Sequence, residues 1–168
     1  MFQKIRDWYI DGQVRAHRER SAKAIAKYGW TANYVGNEGN GEVDFAYTLG
    51  FSDFGAPELI VFDLEPMLVN HVFWEAFNRV KAGSKLHDGY IFREPDPEAK
   101  GFECTFRTAR NPDVWNKYVF DAIAYSQSKG RGDRPEVMQV VWPCAQSLLY
   151  PWDPGCPAPV IRAQPRLY

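Results

Sequence analysis

Apolar residues recur at helical intervals in three stretches of the chain and alternate or cluster in six others. Residues 4–28 read as a helix with a break expected near Gly12. Ile5, Trp8, Tyr9, Val14, Ala22, Ile25 and Ala26 form its stripe, and Gly29 is its natural stop. Residues 30–36 have strand composition. In residues 43–50 Val43, Phe45, Tyr47 and Leu49 share one face, so the two segments predict a β-hairpin across the polar, glycine-rich turn 37–41. Residues 58–63 form a short apolar strand, expected to be central. Pro66 suits the first position of a second helix, whose stripe is Leu68, Val69, Val72, Phe73, Ala76, Phe77 and Val80, closed by Gly83. Residues 87–93 and 102–109 read as strands around the turn at 95–101. Asn111 and Pro112 open a third helix with the stripe Val114, Trp115, Tyr118, Val119, Ala122 and Tyr125. A polar connection at 126–135 leads to a last strand at 136–142.

Past Trp142 the pattern changes. Pro143, Pro151, Pro154, Pro157, Pro159 and Pro165 disfavour helix and central strand, yet Leu148, Leu149, Tyr150, Trp152, Val160, Ile161 and Leu167 need cover. This tail is expected to wrap over the core in extended segments. The order of elements is not a regular strand–helix alternation, so the expected fold is α+β. A mostly antiparallel sheet of five to six strands would carry helices on one face. A dinucleotide-binding fold is disfavoured, because no strand–glycine loop–helix unit can be placed. One domain is expected: a basic helical extension at 1–28, a core at 29–142 and a tail at 143–168.

Composition sharpens this picture. With 168 residues, 45% of them apolar and 15% aromatic, the chain can build one real core and is a poor candidate for disorder. No apolar run approaches a membrane span, and the first residues lack a signal-peptide pattern, so a cytoplasmic protein with reduced thiols is expected. The net charge of −1 conceals an asymmetry. Residues 1–28 carry seven basic and three acidic side chains, a net +4, which leaves −5 for the rest. Arg15, Arg18, Arg20, Lys23 and Lys27 could therefore meet phosphates of a nucleic acid, although a solvated outer face is the simpler reading.

Local motifs do not name a chemistry. Cys104, Cys144 and Cys156 make no disulfide framework, and no His or Cys pair has zinc-site spacing, so neither metal nor cofactor is expected. A Cys104–His71 nucleophile–base pair competes with the simpler assignment of Cys104 to the core. Gly36, Gly39 and Gly41 have the wrong spacing for a phosphate loop and precede a strand. Lys129, Arg131 and Arg134 read as a solvated basic turn.

Three stretches resemble a bacterial family, the domain of unknown function 4262. Phe45-Ala46-Tyr47-Thr48-Leu49-Gly50 is similar to its F-A-Y-T-x-G-L signature, and Pro57-Glu58-Leu59-Ile60-Val61-Phe62 to its P-E-L-I-V-F-G-L. Gln139-Val140-Val141-Trp142-Pro143, Tyr150-Pro151-Trp152-Asp153-Pro154-Gly155 and Gln164-Pro165 are similar to its Q-x-V-W-P-D, F-P-W-x-P-G and terminal Q-P. The resemblance covers about residues 28 to 168. Phe51 replaces the usual Leu, Ala56 a common His, Asp63 a Gly and Cys144 an Asp, and Trp74 falls where an Asn is expected. The resemblance implies an architecture and leaves the function open.

Three functional readings follow from the residues. In the first, the chain recognises a protein or small molecule through the 47–58 loop and the aromatic tail, with Tyr47, Thr48, Gly50, Pro57, Glu58, Trp142 and Trp152 as ligand-binding candidates. In the second, it is a small hydrolase or transferase with Glu58 as base and Tyr47 or His71 assisting. The third is nucleic-acid contact through the basic helix. Two physical points bear on the first two readings. Tyr47 and Thr48 face opposite sides of one strand. A carboxylate opening an apolar strand needs donors, and loop N–H groups would make Glu58 a structural cap for 51–57.

Overall fold

In a computed structural model, residues 2–36, 39, 41–93 and 101–168 are described, residues 2–10 by their backbone alone. The turns at 37–41 and 95–101 therefore lie largely outside the described residues. Six strands form one sheet: β1 (Thr31–Val35), β2 (Phe45–Leu49), β3 (Glu58–Phe62), β4 (Tyr90–Arg93), β5 (Glu103–Thr108) and β6 (Val137–Val141). Their spatial order is β1-β2-β3-β6-β5-β4. All neighbours are antiparallel except β3 and β6, which run parallel with Glu58 opposite Val137. Both expected hairpins form, with Asn33 opposite Tyr47 in one and Phe92 opposite Cys104 in the other.

The parallel pair dictates the layering. Every residue of β3 and β6 is buried, which an apolar strand achieves only with cover on both faces. Helices lie on both faces of the sheet, where the strand pattern predicts one. On the first face Ala46, Leu59, Val61, Phe106 and Val140 pack against Val69, Val72, Phe73, Ala76 and Phe77 of α2 (Pro66–Lys81). On the second, Tyr47, Leu49, Ile60, Phe62 and Val137 pack against Ile25, Val114, Val119, Ala122 and Leu167. The run Glu-Leu-Ile-Val-Phe has no polar alternation, and this is the sequence signal for a doubly covered strand.

The first helix, α1 (Phe2–Tyr28), is continuous through Gly12. An interior glycine costs roughly 1 kcal/mol, too little to break a helix of that length. Of the expected stripe among residues 11–28 only Ile25 is buried; Val14, Ala22 and Ala26 are exposed. The expected third helix forms in two pieces. Asn111 Oδ1 accepts the Asp113 N–H at 3.0 Å, as a cap should. A π-helical turn at Val114–Tyr118 follows, the chain breaks at Val119 (φ −94°, ψ 43°), and α3 (Phe120–Ser128) continues. The Val119 N–H reaches back five residues to the Val114 carbonyl. This wider turn re-phases the stripe so that Val114, Val119 and Ala122 all reach the core.

The tail does wrap over the core, but it contains a short helix, α4 (Ala158–Ala163), where extended chain is expected. Two glutamines pin it. Gln164 accepts the Trp142 N–H at 3.0 Å and donates to the Trp142 carbonyl at 2.9 Å, adding a side-chain rung beyond β6. Gln139 donates to the Pro165 carbonyl at 2.9 Å and accepts the Leu167 N–H at 3.0 Å.

Gly50 has φ 107°, and a Cβ there would sit 2.7 Å from the Gly29 carbonyl oxygen and 3.1 Å from Trp30 Cα, both backbone atoms. Gly50→Ala is expected to destabilise the protein by about 2–3 kcal/mol through left-handed strain and overpacking. Gly12→Ala meets nothing within 4 Å and should raise helicity with no loss of stability. Thermal unfolding followed by circular dichroism distinguishes the two.

Candidate functional site

Glu58 opens β3 and is completely buried. Its carboxylate accepts four hydrogen bonds: from the Thr48 hydroxyl at 2.7 Å and from the backbone N–H groups of Gly50 (3.0 Å), Phe51 (3.3 Å) and Ser52 (3.1 Å). Burial pushes the carboxyl above its ordinary range, against the pull of these donors. Thr48 Oγ1 in turn accepts the Leu59 N–H at 2.9 Å, just where the β2–β3 backbone register ends. The side chain thus replaces a rung of the ladder. Glu58, Thr48 and Gly50 together hold the 3-10 turn Phe51–Phe54 onto the sheet.

Tyr47 points to the other face and joins a second polar cluster. Asp121, at the start of α3, accepts from Asn33 Nδ2 at 2.9 Å and from the Tyr47 hydroxyl at 3.4 Å. The Arg18 guanidinium and His17 Nε2 of α1 each stand 3.4 Å from the same carboxylate. Asn33 also donates to the Tyr47 oxygen at 3.1 Å and lies 3.2 Å from His17 through its Oδ1. Burial, helped by the Asp121 charge and opposed by the Asn33 bond, raises the Tyr47 phenol to about 12, so it stays protonated and donates. His17, Asn33 and Asp121 are absent from the sequence-derived candidates. They stand at positions 17, 33 and 121 with no local spacing, and only the fold assembles them.

Beside this cluster α1 and α3 enclose a cleft of ≈ 550 Å³. Ile25, Leu49 and Ala124 give it apolar walls, and Arg18, Asp121 and Lys129 give it charge. Asp53, also in the lining, receives the Tyr125 hydroxyl at 2.5 Å and the Arg131 guanidinium at 2.6 Å. Burial works to raise the Asp53 carboxyl, but the bonds from Tyr125 and Arg131 and the nearby Lys129 charge outweigh it and hold it below the ordinary value. The basic turn expected to be solvated is therefore tied back: Arg131 binds Asp53, Lys129 lies over Tyr125 and Arg134 over Trp115.

The other sequence-derived candidates are dispersed. His71, on α2, packs edge-on against Phe92 of β4. Tyr47 is on β2, four strand positions away and on the opposite face, on the order of 19 Å in the sheet alone. Tyr47, Glu58 and His71 thus form no common cluster. Cys104 is fully buried, and burial raises its thiol pKa, which favours a packing role over a nucleophile. Pro57 lines a different, smaller hollow with Trp115 and Pro135. Trp142 donates its indole N–H to the Phe62 carbonyl at 2.9 Å and so fastens the tail to β3. Trp152 is half-exposed, stacked on Tyr150 at 4.9 Å with Arg107 over its ring. Of the basic residues on α1, Arg18 pairs with Asp121, whereas Arg15, Arg20, Lys23 and Lys27 are exposed.

Asp63, which stands where the resembled family has glycine, adopts φ 44°, a left-handed conformation that Asp tolerates better than most side chains. A six-stranded mixed sheet between two helical layers, with a loop held by its own buried carboxylate, makes this an α+β protein. Residues 24–157 match the family model Domain of unknown function (DUF4262), and the chain belongs to that family. No curated protein and no solved structure matches it. His17, Arg18, Ser21 and Ala22 precede the matched stretch, whereas Leu49, Asp53, Asp121 and Tyr125 fall inside it. No helix among the described residues is long and apolar enough to cross a membrane, and no group of metal-ligating side chains occurs among them.

Glu58→Gln keeps the shape but turns an amide toward N–H and O–H donors. It is expected to cost about 2–3 kcal/mol, read as a fall in the thermal midpoint. The Asp53 clamp predicts a pH dependence. Its folded pKa is depressed, so its stabilisation is complete above the ordinary carboxylate range and is lost as pH falls through the lower folded value. Asp53→Asn should flatten the acid limb of the stability profile below roughly pH 4 and leave its slope near neutrality unchanged.

Proposed function

We propose that this chain is a recognition module that takes a small ligand in the cleft between α1 and α3. The cleft carries the reading. Its ≈ 550 Å³ lies within the range of about 300–1,000 Å³ usual for small-molecule sites, and it combines apolar walls with a few fixed polar groups. The 47–58 segment contributes Leu49 and Asp53 to it. The aromatic tail contributes nothing to the lining. Asp53 holds Tyr125 and Arg131, Asp121 holds Asn33 and Arg18, and the exposed Arg18 and Lys129 are the cations of the lining. The chemistry suits a ligand with an apolar body against Ile25, Leu49 and Ala124 and one anionic group toward Arg18 and Lys129.

The enzymatic reading has less support. The Glu58 carboxylate is buried and engaged by four donors, so it has poor access to a substrate proton.

Backbone amide NMR with a set of aryl and alkyl carboxylates tests the proposal. Binders are expected to move the amides of Ser21, Leu49, Ala124 and Tyr125. Ala124→Trp, which fills the cleft, should abolish those shifts and leave the thermal midpoint close to that of the parent. Carboxylates that leave these amides still at millimolar concentration, or that bind the Trp variant equally well, would overturn it.

A further inference from the structure

We propose that Cys144 and Cys156 form a dithiol switch, which a hydroperoxide oxidises to a disulfide that locks the loop between them. The loop reads Cys-Ala-Gln-Ser-Leu-Leu-Tyr-Pro-Trp-Asp-Pro-Gly-Cys, and its sequence folds it back on itself. Pro151 and Pro154 each take the second position of a β-turn, which suits their fixed φ. The Asp153 N–H closes the first turn on the Tyr150 carbonyl at 2.9 Å, and the Cys156 N–H closes the second on the Asp153 carbonyl at 3.1 Å. Gly155, at φ 88°, supplies the left-handed residue that a type II turn needs at its third position. Two successive turns thus return Cys156 to the start of the loop. There the Leu149 carbonyl accepts the Cys144 N–H at 2.8 Å and the Cys156 thiol at 3.6 Å. One oxygen touches both cysteines, a spacing on the scale of the roughly 4.4–6.8 Å between Cα atoms that a disulfide bridges.

The two thiols are accessible and chemically unequal. Cys144 and Cys156 sit just under the surface, 8% and 9% exposed, beside the exposed residues 145–148, 154–155 and 157, whereas Cys104 is fully enclosed. The Leu148 N–H closes a turn on the Cys144 carbonyl at 2.8 Å. The side chain that opens such a turn meets the N–H groups two and three residues on, here those of Gln146 and Ser147. The Ser147 hydroxyl, then these two N–H groups, hold the Cys144 thiol below its ordinary pKa. Burial raises the Cys156 thiol, helped by the charges of Cys144 and Asp153. Cys144 is thus the thiolate that attacks, and Cys156 the thiol that resolves.

The chemistry runs in two steps. The Cys144 thiolate attacks one oxygen of the hydroperoxide and the O–O bond breaks. The departing oxygen takes a proton and leaves as water or an alcohol, and Cys144 becomes a sulfenic acid. The Cys156 sulfur then attacks the Cys144 sulfur, the S–S bond forms, and the sulfenic oxygen leaves as water with the Cys156 proton. Two thiols have lost two electrons and two protons, and one hydroperoxide has been reduced. The bridge fixes the segment that carries Tyr150 and Trp152, whose stack reaches Glu103 and Arg107 of β5. Neither cysteine lines the cleft between α1 and α3, so the switch and the ligand site stand or fall separately.

The test treats the full chain with hydrogen peroxide and follows its thiols by alkylation and peptide mass. Two of the three free thiols are expected to disappear into a Cys144–Cys156 bridge that dithiothreitol reverses, and amide exchange should slow across residues 148–153. Cys156→Ser should stop at a Cys144 sulfenic acid that dimedone traps. Cys144→Ser should slow the oxidation of Cys156 by about tenfold or more. Ser147→Ala should raise the pH midpoint of Cys144 alkylation, a shift that a merely structural serine would not produce. A bridge between two molecules or to Cys104, unchanged exchange in the loop, or oxidation of Cys156 that is equally fast without Cys144 overturns the proposal.

Discussion

A carboxylate cannot be moved from water into an apolar interior unless donors replace its hydration, and an isolated buried charge would cost more than the whole stability of a domain. Glu58 meets this constraint with three consecutive loop N–H groups and one hydroxyl. The loop is therefore part of the charge's solvation shell, and much else follows from its position. Its turn delivers Phe51 into the aromatic cluster of Trp30 and Phe77. It presses Gly50 against Gly29 and Trp30, which sets the junction where α1 becomes β1. It also presents Asp53 outward to Tyr125 and Arg131, which couples β3 to α3. One buried charge thus orders elements on both faces of the sheet.

Elsewhere the protein uses neutral amides for the same purpose. Gln139 and Gln164 satisfy backbone groups of a proline-rich tail that cannot form strand rungs of its own. Leu167 is then seated in the core, and its carbonyl accepts the N–H groups of Arg110 and Asn111 at 2.6 and 2.8 Å. Leu167 shares one core cluster with Val114 and Val119, so the break at Val119 stays buried.

The elements themselves were legible because apolar periodicity and punctuation agree in them. Pro66, the α2 stripe and Gly83 fix that helix almost to the residue. The break at Val119 was not legible, since Val114, Val119 and Ala122 suit a continuous stripe as well as a re-phased one. The exposure of α1 was hidden for a different reason. Val14, Ala22 and Ala26 mark a stripe, but small residues fit an exposed face as easily as a buried one. The structural role of Glu58 could be inferred from the isolated acid at the head of an apolar strand. The Asp121 cluster could not, because its members come from α1, β1, β2 and α3 and meet only once the sheet has folded.

The cleft between α1 and α3 draws on residues outside the stretch that matches the family. Leu49, Asp53, Asp121 and Tyr125 would form one side of an open surface, and it is Arg18, Ser21 and Ala22 of the preceding helix that make it concave. The helix is held there by polar contacts, His17 and Arg18 on Asp121, with Ile25 as its buried anchor. Polar contacts in a half-exposed place are weaker than core packing, so this roof is the part of the cleft best able to yield to a ligand. An anionic group that competes with Asp121 for Arg18 would loosen the roof as it binds. On the proposed reading, the position of α1 and the occupancy of the cleft would be physically coupled.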